Sequence, residues 1–184
     1  MTTATTTSNT FLQRLIGAAA LDSAIYEEVE ADTGATGQAL VVVVASSLAA
    51  GFGARGLGGS APENVFIISI IALVAWAAWA LLTYEIGGRL MPEPQTVVDV
   101  GELLRTIGFA STPGLLRVFA IIPGAAIPAF AISAIWMLLA MIVAVRQALD
   151  YTSTRRAVVV CALGWTLAVT IALVLGFFLG PTVS

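Results

Sequence analysis

Twenty consecutive residues, Val65–Tyr84 (VFIISIIALVAWAAWALLTY), carry no Asp, Glu, Lys or Arg. A helix of about 20 apolar residues is what crossing a bilayer core of about 30 Å requires. Gly37–Ala54 and Ala157–Leu179 are equally free of charge, and Ile127–Val145 is apolar until Arg146 closes it. In hydrocarbon every backbone donor and acceptor must be satisfied internally, which a helix does within one segment. The expected fold is therefore an all-α, polytopic membrane helix bundle.

Composition narrows the chemistry. The 184 residues are 59% hydrophobic and only 10% charged, with no His and a single Cys. A soluble domain carries roughly 25% charged residues, so an ordinary soluble enzyme is excluded. Lys is absent as well, and all eight cations are Arg. Without Lys there is no Schiff base to a carbonyl cofactor, and without His no imidazole base or His-held haem, zinc or copper. Cys161 alone closes no internal disulfide and holds no iron–sulfur cluster. No cofactor, metal or catalytic residue is expected.

One apolar stretch is awkward. Phe109–Ala126 contains Pro113, Arg117 and Pro123 and reads as a full span, a kinked one or a re-entrant hairpin. Arginine placement arbitrates, because cytoplasmic loops hold the excess of positive charge. With five spans (about 37–54, 65–84, 109–126, 127–145 and 157–179) and the N-terminus inside, Arg14, Arg89, Arg105, Arg146, Arg155 and Arg156 lie on the cytoplasmic side. Only Arg55 lies outside. A four-span bundle with a surface hairpin sends Arg146, Arg155 and Arg156 to the far side, so the N-in, C-out, five-span arrangement is favoured.

Ahead of the membrane domain (36–184), residues 1–9 form a Thr-rich polar tail, expected to be disordered and without the features of a signal peptide. Residues 10–35 should form cytoplasmic helices. Thr10 and Gln13 have capping-box spacing, and Phe11, Leu12, Leu15, Ile16 and Ala19 make an apolar stripe. That stripe suits either the membrane interface or packing against the spans. A second helix, about Ser23–Ala31, carries Glu27, Glu28 and Glu30, with Asp32 just after it. Such an acidic face is ordinarily solvated; it could also dock on the cytoplasmic arginines or on a partner protein.

Few residues look chemical. Arg117 is the single charge within an apolar segment, roughly 12 Å along a helix from Phe109. It finds no acid in any span, so its donors must go to carbonyls, hydroxyls, headgroups or water. The candidates are the carbonyls of Phe109 and Phe119, freed by Pro113 and Pro123, and the hydroxyls of Ser46 and Ser47. Structural satisfaction or snorkelling is the first explanation and an anion or lipid-headgroup site the second. After the extended connector Met91-Pro92-Glu93-Pro94, a helix over Val97–Ile107 should lie at the interface, with Glu102 and Arg105 paired on its surface. An Asp99–Glu102 catalytic dyad is a poor alternative, having neither a metal motif nor a basic partner. Gly176 and Gly180 form a GxxxG helix-packing pattern. Gly51–Gly59 (GFGARGLGG) lacks the Lys-Ser/Thr of a phosphate loop and reads as a flexible exoplasmic turn.

Several stretches carry a family likeness. They are Tyr26–Asp32 running into Ala35–Leu40, Gly101–Arg117 with Gly108-Phe109-Ala110-Ser111-Thr112-Pro113 at its centre, and Arg146–Tyr151. In this order they resemble bacterial members of the Yip family, named for Ypt/Rab-interacting proteins. The resemblance implies five spans, a cytoplasmic N-terminus and residence in a bacterial inner membrane. Eukaryotic relatives are non-enzymatic membrane organisers that bind Rab GTPases and one another. This chain has no Asp-Leu-Tyr-Gly-Pro stretch before its first span, so Rab binding is not carried over.

The expected function is thus non-enzymatic, a scaffold, accessory subunit or organiser acting through helix packing. Its expected partners are membrane lipids, other integral subunits or further copies of itself, and no nucleic acid. The second reading is a small-solute or lipid permease using Arg117 in the Pro-broken third span. The third is an intramembrane enzyme using Asp99, Glu102 or Cys161.

Overall fold

The computed structural model describes residues 8–57, 62–97 and 99–179. Among them are seven α-helices and no strand: α1 Phe11–Ala19, α2 Ser23–Ala31, α3 Ala35–Gly53, α4 Pro62–Thr83, α5 Val100–Ala110, α6 Ala126–Ala148 and α7 Thr154–Leu179. A π-helical turn, Tyr84–Leu90, extends α4. A 3-10 segment, Thr112–Ile121, follows α5.

Among the described residues, three helical stretches are long and apolar enough to cross a membrane by length and composition: Ala35–Leu57, Val65–Leu90 and Ala126–Ala148. Their surroundings differ. In its most apolar window α3 is 44% buried, whereas α4 is 11% buried. The α3 helix is accordingly central, and α4 turns Phe66, Ile67, Ile70, Ile71 and Val74 outward. A bilayer solvates such side chains where water would not.

The Pro-containing stretch takes an unusual path. The α5 helix starts at Val100, later than the expected Val97, and runs three residues past Ile107 to Ala110. Pro113 then occupies the first turn of the 3-10 segment, where its missing N–H does least harm. Ten residues of 3-10 helix are long against the usual 3–4. Close approach to α3 accompanies this tighter winding. Gly108 sits against Ala39, Gly114 against the Ser46 hydroxyl, Gly53 against the Arg117 carbonyl and Gly56 against the Ala120 carbonyl. Both members of these pairs climb together, so the segment runs parallel to α3 from Ala39 to Gly56. Gly53 and Gly56 are consequently packing positions and not part of a flexible turn. Gly58 and Gly59 lie outside the described residues.

Two helices end in left-handed backbone on residues other than Gly. Leu21 follows α1 at φ 63° and Asp150 follows α6 at φ 51°. Each closes a paired C-terminal motif: Asp22 N–H to the Gly17 carbonyl with Leu21 N–H to Ala18, and Tyr151 N–H to Arg146 with Asp150 N–H to Gln147. These stops place α2 and the start of α7 at one polar end of the bundle. There Tyr26, Val29, Leu103, Ile107, Phe109, Val145 and Leu149 form a continuous core.

Candidate functional site

Two arginines fasten the polar end. Arg14 on α1 is 2% exposed and bonds Glu28 through Nε at 3.0 Å and Nη2 at 2.8 Å, Asp32 at 2.7 Å and Gln38 at 3.1 Å. Burial pulls its pKa down, but the hydrogen bonds to Asp32 and Glu28 outweigh that and raise it. Burial likewise pushes Glu28 up, and bonds from Asn9 and Arg14 reverse the shift and hold it low. The hydrogen bond from Arg14 leads in lowering Asp32. Two of the four acids expected to be solvated are therefore an internal clamp.

Arg105 is the second fastener. The expected surface pair with Glu102 is replaced, because Arg105 is 5% exposed and turned under α2. Its Nε lies 3.0 Å from the Val29 carbonyl and 3.1 Å from that of Glu30, which Nη2 also reaches. A helix of nine residues leaves its last four carbonyls unpaired internally, and Arg105 takes two of them. The interfacial placement of α5 is corrected for the same reason, since Leu103, Thr106, Ile107, Gly108 and Phe109 are all buried. Asp99 accepts from the Glu102 N–H at 2.9 Å, a helix cap and not half of a dyad.

The apolar face of α1 divides its contacts. Phe11 meets Phe109 edge to face at 6.4 Å and Ala18 is fully buried, while Leu12 and Ile16 are exposed. Trp136 of α6 donates to the Ala19 carbonyl at 2.7 Å. Tyr26 donates to the Ala18 carbonyl at 3.0 Å, and burial pushes its pKa up. The connector after α4 is tied equally well. Glu93 accepts from Thr152 N–H at 3.0 Å and its hydroxyl at 2.8 Å and pairs with Arg156 at 3.4 Å. The Thr152 backbone bond leads in lowering its pKa.

Between α2, α5 and the α6–α7 turn lies an open hollow of about 480 Å³, bordered by Glu27, Glu30, Glu102, Arg146, Gln147 and Asp150. Four carboxylates against one guanidinium make it acidic. Gln147 donates to Glu27 at 2.7 Å. Burial, then the neighbouring charges of Asp150, Glu102 and Glu27, push the Glu30 carboxyl up to about 7, opposed by Arg105. Among the described residues no group of three His, Cys, Asp or Glu is arranged to hold a metal ion. Sequence reasoning singled out Glu102 and α2 separately. Their convergence with Asp150 joins residues far apart in the chain and left no local signal.

A second, smaller cavity of about 30 Å³ lies within the apolar bundle, lined by Ser46, Ser47, Trp76, Ser111, Arg117 and Met137 with Val43 and Ala72. Arg117 approaches Met137 Sδ through Nη2 at 3.3 Å and stands 5.8 Å from the centre of the Phe130 ring. The freed carbonyls are not its partners. Phe109 accepts from the Thr112 hydroxyl at 2.6 Å, and Phe119 from the Ile122 N–H at 3.1 Å. Ser46 and Ser47 do share its cavity. Pro113 is buried near the start of the 3-10 segment, and Pro123 lies just beyond its end. Cys161 is fully buried on α7. Gly180 lies outside the described residues and the surroundings of Gly176 are likewise outside them, so the GxxxG pattern has no structural reading. Gly164, on the same helix, faces the Trp79 indole.

Lipid-compatible helices, outward apolar side chains and a fastened polar end define a polytopic α-helical membrane protein. Residues 22–176 match the Yip1 domain. The chain belongs to the Yip family. No curated protein and no solved structure matches it.

Proposed function

We propose that the protein is a non-enzymatic membrane scaffold or accessory subunit whose cytoplasmic end receives a basic segment of a partner subunit. The observation that carries this reading is the acidic hollow, one wall of which is α2, fastened by Arg14 and Arg105. Its walls come from α2, α5 and the α6–α7 turn, so a cationic segment seated there touches all three at once. Positive charge is drawn to a concave surface of one sign, where low-dielectric walls focus the field. Glu27, Glu102 and Asp150 are placed to meet Lys or Arg side chains.

The parallel run of α5 and the 3-10 segment beside α3 supports a fifth crossing. With it, the hollow and six of the eight arginines share the N-terminal side. That is the cytoplasmic side by the positive-inside rule.

Photo-crosslinkers at Ala31 and Gln147, which border the hollow without being its carboxylates, test the docking reading in native membranes. A discrete adduct that disappears in the Glu27→Lys, Glu102→Lys double variant is expected. Recovery of uncrosslinked protein alone, or an adduct indifferent to the charge reversal, overturns it. A second reading, a permease for a small solute or lipid, is favoured by Arg117 lying in a polar cavity between helices. It requires that Arg117→Leu abolish a measurable flux while the bundle stays folded.

A further inference from the structure

We propose that the cavity at Arg117 is a binding site for one monatomic anion, a halide, held inside the helix bundle. The inference stands apart from the docking reading, because the cavity lies among the apolar helices and shares no residue with the acidic hollow. Two side chains that line it, Arg117 and Trp76, each carry a buried donor, Nε and Nε1, with no hydrogen-bond partner among the described residues. Leaving such donors unmatched in a low-dielectric interior costs free energy for each group. Here the two belong to side chains that border the same small space.

The chemistry of the walls selects the occupant. Arg and Trp side chains donate only, and the Ser46 and Ser47 hydroxyls beside them can rotate to donate. No carboxylate lines the cavity, and among the described residues none forms an ion pair with Arg117. The Met137 sulfur at 3.3 Å is a weak acceptor and carries no charge. A water would match a donor yet leave the guanidinium uncompensated. An anion does both.

Size sets the limit on the other side. About 30 Å³ exceeds the roughly 10–15 Å³ that admits one water-sized body. A phosphate or a headgroup, with several oxygens about a central atom, is too large. The geometry of close packing explains how so small a chamber persists. Gly114 seats the Ser46 hydroxyl and the Met137 sulfur against the 3-10 backbone, and a Cβ there would collide with the hydroxyl and crowd the sulfur.

The test uses the full chain in phosphatidylcholine nanodiscs, titrated with sodium chloride or sodium bromide against sodium gluconate at constant ionic strength. A ligand that binds the folded state raises Tm in a saturable way. We expect a rise of several degrees with either halide, none with gluconate, and bromide quenching of the Trp76 contribution to fluorescence, defined by comparison with Trp76→Phe. Arg117→Gln should abolish the saturable rise. Should that variant not fold, Ser46→Ala and Trp76→Phe keep the proposal testable, each raising the half-saturating halide concentration severalfold. Equal melting in halide and gluconate, or a half-saturating halide concentration left unchanged by both Ser46→Ala and Trp76→Phe, overturns the proposal.

Discussion

Arg105 Nε lies 3.0 Å from the Val29 carbonyl, so a side chain of the central bundle closes the C-terminal end of α2. Cations are favoured at that end because the last carbonyls carry the negative pole of the helix dipole. The contact is worth more than a surface pair, since Arg105 is nearly inaccessible and no water replaces it. Arg105→Leu should therefore loosen α2 from α5 and lower stability by about 1–3 kcal/mol for the stranded carbonyls. Amide exchange in nanodiscs reads this directly. Protection should fall in α2 and at the α5 start, and remain in α3.

Arg14 makes a different kind of fastening, with charge on both sides. Removing one member of a buried ion pair costs about 3–5 kcal/mol, because the remaining charge loses its partner. Asp32 is 40% exposed, which places Arg14→Met toward the lower end. Glu28 and Asp32 have lowered pKa values. Their stabilising contribution is thus present above the ordinary carboxylate range and disappears as pH falls through their lowered values. The wild-type Tm should drop on acidification more steeply than that of Arg14→Met. Parallel curves would dismiss the clamp.

What could be read along the chain and what could not divide on a physical line. The candidate spans in α3, α4 and α6 follow from long apolar runs, a property of each segment taken alone. The capping box at Thr10 is equally local, and Gln13 returns to the Thr10 N–H at 2.8 Å. The cap contacts are not local: Arg105 reaches carbonyls 75 and 76 residues away. Glu102, three residues from it, looked the natural partner because helix spacing is all that one segment displays. Arg117 stood out as an unpaired charge from sequence, but its unpartnered companion Trp76 did not, since an indole in an apolar helix is unremarkable until its N–H is traced. The misreading of Gly51, Gly53 and Gly56 has the same origin. Glycines signal flexibility when nothing is known to touch them and close packing when something does.

Those glycines give a sharp contrast. A Cβ on Gly53 would strike the Arg117 carbonyl, and one on Gly56 the Ala120 carbonyl, both backbone atoms with little room to yield. Overpacking of this sort costs about 1–3 kcal/mol and sometimes more. Gly53→Val and Gly56→Val should each lower Tm and broaden the monodisperse peak in size-exclusion chromatography. Gly37, with nothing within 4 Å of a Cβ, lies in the first turn of the same helix. Gly37→Ala should be neutral or stabilising by up to about 1 kcal/mol, from helix propensity alone. Equal damage at all three positions would contradict the packing assigned to the first two.

The acidic hollow has a pH dependence of opposite sign to the Arg14 clamp. Glu30, with an ordinary value of 4.5, is pushed up to about 7 by burial and by Asp150, Glu102 and Glu27, against Arg105; Arg146 also borders the hollow. A carboxyl raised in the folded state contributes stability that is complete below its ordinary value and is lost as pH rises through its folded one. Glu30→Gln should therefore flatten the decline in Tm between about pH 5 and 8. Ionisation of Glu30 also adds a fourth negative charge to the hollow. Binding of an Arg-rich peptide, measured by fluorescence anisotropy at fixed ionic strength, should strengthen through pH 7 in the wild type. In Glu30→Gln it should stay level over that interval. Asp150→Asn offers a companion, because Asn tolerates the φ of 51° there. It removes one of the charges that raise Glu30, so the midpoint of the binding curve should move to lower pH. A midpoint unmoved by Asp150→Asn would mean that burial alone sets the titration and that the four carboxylates do not act together.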